Sequence, residues 1–462
     1  MTATPPVHKR LIICCDGTWN DADSEDASPS NVTRISRLFS LACDDGSVQI
    51  VNYQSGVGTG SNTADTLLGG AFGIGVAERV RDAYYFLAQN YMPGDDIILI
   101  GFSRGAFTAR SVAGLIGQIG LLTREGMEDF YPIFEDMESW NKPSYKDPFP
   151  TRPFPDKPTG PLAAPLYRQK LADLGMTRPD VPVKAIAVWD TVGSLGIPQT
   201  ALMHKLHLQP SAKWYQFFDT SLAPSMLHAF QALALDEVRP PFAPAVWELG
   251  DNNKTDLRQC WFPGDHSNVG GGKPDQGMAD ITLAWMMDQL ASVGVEFDPE
   301  AVGHYIGQIE EWYRKHPSEK RWASREIYEQ FKPVRPWALG AITGSKNFVY
   351  KFAGQLTRTP GTYHQVDPVS LQPKETYLNT TNESIHPSVR VRIAAEGLGL
   401  NDKGTYDAPA LRHWSYRDGG WDYTGNENIK VRRLPEAQIG PFGQQLLQAR
   451  KSEQLFGLQL KQ

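Results

Sequence analysis

Apolar positions alternate between two rhythms in the first 120 residues of this chain. Short aliphatic runs read as buried strands: Arg10–Cys15, Ser47–Tyr53 and Ile97–Ile100, the last without a polar interruption. Between and after them come helical spacings. Val32–Ala42 is expected as a helix capped by Ser30 or Asn31, and Ala106–Ile119 as another. The stretch Gly73–Tyr91 places Ala77, Val80, Tyr84, Leu87 and Tyr91 on one apolar face. Strand following helix in this order predicts an α/β fold, a mostly parallel sheet with helices on both faces.

The rhythm breaks at 141–165, which holds eight prolines. Proline at that density opposes helix and central strand alike. The segment reads as an insertion of about 124–175, expected to act as a lid over the site. Strands resume at Val183–Val188 and Leu257–Phe262, and a helix is expected over Met278–Leu290. Past about residue 295 the chain turns rich in Trp, Tyr, Arg and Pro. Short amphipathic helices (Pro299–Arg314, Ser324–Phe331) are expected there, without a strand–helix rhythm. The organisation read from this is a core over 8–295 and a mainly helical or irregular C-terminal cap over 296–462, packed on the core.

The chemistry gathers where strands end. Gly101-Phe-Ser103-Arg-Gly105 follows the Ile97–Ile100 strand and precedes a helix. That is G-x-S-x-G in strand–turn–helix context, the mark of a nucleophile elbow. Its glycines are needed because side chains flanking so tight a turn would strike the adjoining strand and helix. A nucleophilic serine needs a base, and the base an orienting acid, in the chain order Ser, Asp, His. Asp190 ends the Val183 strand and His266 follows the Leu257 strand, so all three fall at one sheet edge. His228, placed on a helix near Asp236, is the rival base, and Asp265 the rival acid. Asp265 ranks lower because adjacent side chains on an extended segment point apart.

Oxyanion donors are expected from the backbone N–H of Arg104 and from Gly17 or Thr18 in the Asp16-Gly-Thr loop. Asp16 would hold that loop's hydrogen bonds or a cation. D-G-T also occurs in phosphatases with an aspartate nucleophile, but the position two residues earlier is Cys14, which argues against that chemistry. Gly56-Val-Gly-Thr-Gly60 lacks the third glycine of a dinucleotide fingerprint and is a weak phosphate signal. Gly270-Gly-Gly272 is expected to let backbone pass close to the nucleophile turn.

Bulk properties narrow the classes further. Hydrophobic residues make up 41% and charged residues 21%, an ordinary globular balance. The net charge of −7 and the lack of a basic run argue against nucleic acid as a partner. The four cysteines give no disulfide framework. No apolar run is long enough for a membrane span, and the first ten residues lack a signal-type core. The expectation is cytoplasmic synthesis without an integral membrane segment, with signal-peptide-independent export left open. No cofactor or metal is called for.

Seven blocks in order carry a resemblance. They are Cys15-Asp-Gly-Thr-Trp-Asn20, Tyr53-x-x-Gly56-Val-Gly-Thr59, Gly101-Phe-Ser-Arg-Gly-Ala106, Val188-Trp-Asp-Thr-Val-Gly193, His228-Ala…Ala234-Leu-Asp-Glu-Val-Arg239, Pro263-Gly-x-His-x-x-Val-Gly-Gly-Gly272 and Ile385-His-Pro-Ser-Val389. Together they resemble the α/β-hydrolase family that includes the catalytic domain of type VI secretion phospholipase effectors of the first lipase class. The resemblance implies a serine esterase acting on glycerophospholipid esters, with Ser103 as nucleophile, Asp190 as acid and His266 as base. It implies an ester or lipid substrate and peripheral contact with lipid. Two departures stand out. Asn268 occupies a position usually acidic in the family, and no long membrane-anchoring module is evident. The competing readings are a non-catalytic binding module on a hydrolase scaffold and a phosphate- or nucleotide-binding domain.

Overall fold

The computed structural model describes residues 7–17, 28–56, 71–140, 145–160, 162–192, 222–344, 355–366 and 373–460. Its centre is a seven-stranded sheet. The strands are β1 (Lys9–Cys15), β2 (Val48–Gln54), β3 (Asp96–Phe102), β4 (Val183–Trp189), β5 (Met226–Ala234), β6 (Asp256–Phe262) and β7 (Glu383–Ile385). They lie side by side in the order β7-β6-β5-β4-β3-β1-β2, and each neighbouring pair is parallel. A parallel sheet must be covered on both faces, and the period of two along each strand serves this. Leu11, Ile13, Ile97 and Leu99 enter one apolar cluster; Ile12, Cys14, Ile98 and Ile100 enter the other.

On the first face lie α2 (Ala71–Asn90) and α3 (Arg104–Ile119), whose Val80, Tyr84, Leu87, Val112 and Ile116 are buried there. The second face takes α1 (Asn31–Ser36) and, after the short α4 (His266–Gly270), the helix α5 (Ala279–Ala291). Ser30 caps α1 by accepting from the Thr33 N–H at 3.1 Å. The expected helix over 32–42 is shorter than its apolar spacing suggests. After Ser36 the chain turns, and Phe39 and Ala42 form bridges to Phe297 and Val48. Those pairings satisfy backbone groups that a longer helix would have used internally.

Three further features depart from the sequence pattern. His228 lies on β5, not on a helix. Its run of Ala, Phe and Leu is apolar on both faces, and such a run does not distinguish helix from a doubly buried strand. The proline-rich insertion, in its described part, is anchored away from the sheet edge that carries Ser103. It packs against the far end of α3: Arg168 donates to the Gly117 carbonyl at 2.9 Å, and Thr177, just past the insertion, to that of Ile119 at 2.6 Å. Parallel strands joined by antiparallel helices bring that end of α3 to the strands' amino ends, so these contacts do not make it a lid over the elbow. The proline density does suppress strand and helix over 145–160, but a helix forms at Ala163–Asp173 with Pro165 in its first turn, where the missing N–H costs nothing.

The third is the C-terminal region. Besides Pro299–Lys315, Arg325–Phe331, α6 (Pro387–Ala394) and α7 (Pro441–Ala449), it contributes β7 to the central sheet. It also folds a three-stranded antiparallel sheet from Trp414–Arg417, Gly420–Tyr423 and Arg433–Pro435. Its Trp337, Leu339, Ile385, Val389 and Leu434 share one apolar cluster with β1, β3, β4, β5 and β6.

Candidate active site

The strand order reverses between β1 and β3, and the crevice at the carboxyl ends of such a pair is where open α/β sheets hold ligands. Ser103 follows β3 at that crevice and immediately precedes α3. Its backbone is at φ +57°, ψ −121°, a region that costs a non-glycine residue on the order of 1–3 kcal/mol. The turn is tight because nothing larger than hydrogen fits on either side. A Cβ on Gly101 would lie 2.5 Å from the Gly105 carbonyl oxygen, and one on Gly105 would lie 2.1 Å from that of Cys15. The Ser103 N–H donates to the Trp189 carbonyl at 3.1 Å, tying the elbow to the end of β4. Its hydroxyl makes no capping bond to α3.

Asp190 is the next residue after β4, fully buried and also at positive φ (+40°). Its carboxylate has a full set of donors. Oδ2 meets His266 Nδ1 at 2.6 Å and Arg358 Nη2 at 2.9 Å. Oδ1 accepts from the Ala234 N–H at 3.0 Å and from Arg358 Nη1. Burial alone would push this carboxyl up. The Arg358 charge and the bonds from His266 and Arg358 outweigh it and hold the group below the usual carboxylate range. An ionised carboxylate can only accept, so His266 carries its proton on Nδ1 and keeps the Nε2 lone pair for a second partner.

His266 opens α4, and its placement follows from that helix's start. Asp265 is the N-cap. Its side chain accepts from the Asn268 N–H at 2.9 Å, while Asn268 Oδ1 accepts from the Asp265 N–H at 3.2 Å, a reciprocal capping box. Asp265 also pairs with Lys273. It is therefore occupied in starting α4, and Asp190 is the carboxylate at the imidazole. Phe102 and Phe242 sandwich the His266 ring at centroid distances of 4.6 and 4.9 Å. Phe102 can do so because residue 270 is glycine: a Cβ there would be 1.9 Å from the Phe102 ring. The His266 backbone N–H donates to Glu237 at 3.3 Å.

His228 sits at the other end of the sheet, where its Nδ1 meets Asp256 at 3.3 Å. The eight residues to Asp236 along an extended strand span roughly 26 Å, so His228 is remote from the crevice. Asp236 instead packs under the α4 loop. It accepts from the Gly264 N–H at 2.6 Å and from the Tyr406 hydroxyl at 3.0 Å, and burial pushes its carboxyl up to about 6.

Asp16 follows β1 and faces four donors: Ser30 Oγ at 2.7 Å, Thr33 Oγ1 at 2.6 Å, Tyr53 OH at 2.9 Å and the Gly17 N–H at 2.6 Å. Burial raises its carboxyl, with these bonds opposing the rise. Gly17 thus directs its N–H to Asp16. Thr18 lies outside the described residues, as do 57–60 of the glycine-rich turn after β2. Arg104, the residue after Ser103, is the first of α3, so its N–H belongs to the positive end of a 16-residue helix.

Arg358 was not among the residues singled out by sequence. It comes from Gln355-Leu-Thr-Arg-Thr-Pro360, which carries no periodicity or motif, and it lies 168 positions from Asp190. Glu237 and Asp236 fall inside one of the ordered blocks, where only their strand-end position hinted at the site.

A parallel sheet with a strained serine turn at its switch point, and a histidine–aspartate pair on the neighbouring strand ends, defines an α/β-hydrolase-like protein. The family model described as type VI secretion system, phospholipase effector Tle1-like, catalytic domain, matches residues 9–289, more than half of the chain, and the chain belongs to that family. It is similar to the uncharacterized protein YEL023C of Saccharomyces cerevisiae, 34% identical over 154 residues, covering 29% of this chain and 22% of that protein. The chain thus matches about a fifth of that relative's length. Among solved structures, the Tle1 effector bound to the VgrG spike of the type 6 secretion system aligns with a TM-score of 0.38 and 15% identity, covering 82% of this chain and 93% of that one. An uncharacterized protein from Pseudomonas aeruginosa aligns with a TM-score of 0.35 and 17% identity, covering 64% and 47%. Among the described residues, no helix is long and apolar enough to cross a membrane.

Proposed function

We propose that this chain is a serine ester hydrolase of phospholipase or lipase type, with Ser103, His266 and Asp190 as its triad. The observation that carries the reading is the 2.6 Å His266–Asp190 bond beside the strained Ser103 turn, on strands whose ends are in register at Phe102 and Trp189. Ser103 Oγ attacks the ester carbonyl carbon while His266 Nε2 takes its proton. Asp190 holds the imidazole in the required tautomer and stabilises its cation. The oxyanion of the tetrahedral intermediate is held by the Arg104 N–H at the start of α3, while the Gly17 N–H is engaged by Asp16 and does not serve as the second donor. His266 returns the proton to the departing alcohol, and water then releases the acyl group by the same steps in reverse order. The family assignment favours a glycerophospholipid as substrate, met by peripheral contact with a lipid surface, in a protein made in the cytoplasm. Residues 8–295 would form the hydrolase core, with 296–462 packed on it.

A fluorophosphonate probe is expected to label the wild type at Ser103 and to leave Ser103→Ala unlabelled. An ester and phospholipid panel run on both proteins should lose all turnover with the hydroxyl. A folded wild type that neither labels nor hydrolyses any ester ends this reading and leaves a binding module on a hydrolase scaffold.

A further inference from the structure

Asp190 shares its carboxylate between the His266 imidazole and a buried guanidinium. Arg358 is 2% exposed and approaches both carboxylate oxygens with its two terminal nitrogens. The same nitrogens donate to the Ala234 carbonyl and to the Phe242 carbonyl, each at 2.7 Å. Ala234 ends β5, and its own N–H donates to Asp190. Phe242 is one of the two rings against His266. One guanidinium therefore fixes the acid, the strand end behind it and a wall of the imidazole's pocket. It comes from the C-terminal region, beyond residues 9–289 that the family model matches.

We propose that Arg358 is a positioning residue for the triad, which clamps Asp190 in the orientation that meets His266 Nδ1. The proposal rests on the triad reading above. The other carboxylates near His266 are each held by partners of their own. Glu237, at the His266 N–H, is paired with Arg239 through two 2.8 Å bonds. On the histidine's own loop, Asp265 is paired with Lys273. Asp236, under the loop, is held by Gly264 and Tyr406. Asp190 is the carboxylate in contact with the ring, and Arg358 is the cation that offsets it. Losing Arg358 leaves that carboxylate with only the Ala234 N–H and the imidazole itself to orient it.

The test compares wild type, Arg358→Lys, Arg358→Met and Arg358→Gln on a 4-nitrophenyl ester, with the imidazole of His266 followed by nitrogen NMR in a Ser103→Ala background. The neutral variants should lose about 100-fold in kcat with little change in KM, as expected for misplacement of a reacting group. The His266 nitrogen signals should move from those of a single Nδ1–H tautomer toward those of a mixture, because Asp190 no longer fixes the proton. Lysine keeps the charge and loses the two-point clamp, so the tautomer should be kept while kcat falls about tenfold. Folded neutral variants with wild-type kcat, or with lost kcat and an unchanged tautomer signal, overturn the proposal. Should neither neutral variant fold, a lysine variant with wild-type kcat overturns it. Failure of the triad reading is separate: wild type itself would then be unlabelled by the fluorophosphonate and inactive.

Discussion

At Ser103 the backbone is strained while the side chain is free of the helix it precedes. Glycine adopts φ +57°, ψ −121° without a Cβ penalty, so Ser103→Gly is expected to raise unfolding stability by about 1 kcal/mol over Ser103→Ala, net of the entropy glycine adds to the unfolded chain. Both should be inactive. Chemical denaturation of the pair checks this, and equal stabilities would mean the turn is not strained. The three residues expected at the site were legible because each combines a chemical type with a strand end, and a parallel sheet gathers strand ends at one edge. Asn268, out of pattern for an acidic position, has a job an acid could not do. Its Oδ1 completes the cap of α4 while its Nδ2 donates to the Ala341 carbonyl at 3.0 Å. Arg358 was illegible for the opposite reason. A lone arginine in an aperiodic loop is distinguished only by the carboxylate it meets in space.

Among the elements, the strands with unbroken aliphatic runs were the readable ones, because no solvated structure accommodates such a run. β5 was read as a helix, since alanine favours helices and only burial on both faces selects the extended form. β7 is three residues long, too short for any alternation to register, and it is defined by its parallel register with β6. Helix α7 shows how an end can be completed from a distance. Its own cap residue, Gly440, offers no side chain, and a Cβ there would stand 2.5 Å from the Asp288 carboxylate carbon. Asp288, on α5, fills that space and accepts from the Phe442 N–H at 2.8 Å and the Gly443 N–H at 3.2 Å. Asp288→Ala strands both donors and should cost about 2 kcal/mol of stability, with faster hydrogen exchange confined first to 441–449. Unchanged exchange there would show that α7 is held by its apolar face alone.

For the molecule as a whole, the C-terminal region is continuous with the sheet through β7 and with the site through Arg358. The sequence pattern set 296–462 apart because its composition shifts and its strands are short. Composition does not report that Ile385 and Leu434 sit in the same apolar cluster as β5 and β6. A chain stopped at 295 leaves the open edge of β6 unpaired and Asp190 buried without its cation, a loss that typically costs about 3–5 kcal/mol by itself. Such a chain is expected to be insoluble or molten, and unlabelled at Ser103 by a fluorophosphonate; a soluble, labelled fragment would refute that view. The position of β7 along the chain has a further consequence, for timing. Translation delivers the serine early and its last supports late: β7, and then Ala437, whose N–H closes on the Ile385 carbonyl at 2.9 Å. While the ribosome is still adding those residues, the nascent polypeptide carries Ser103 without the scaffold that would arm it. For the proposed hydrolase, activity is therefore expected only after residue 437 has left the ribosome.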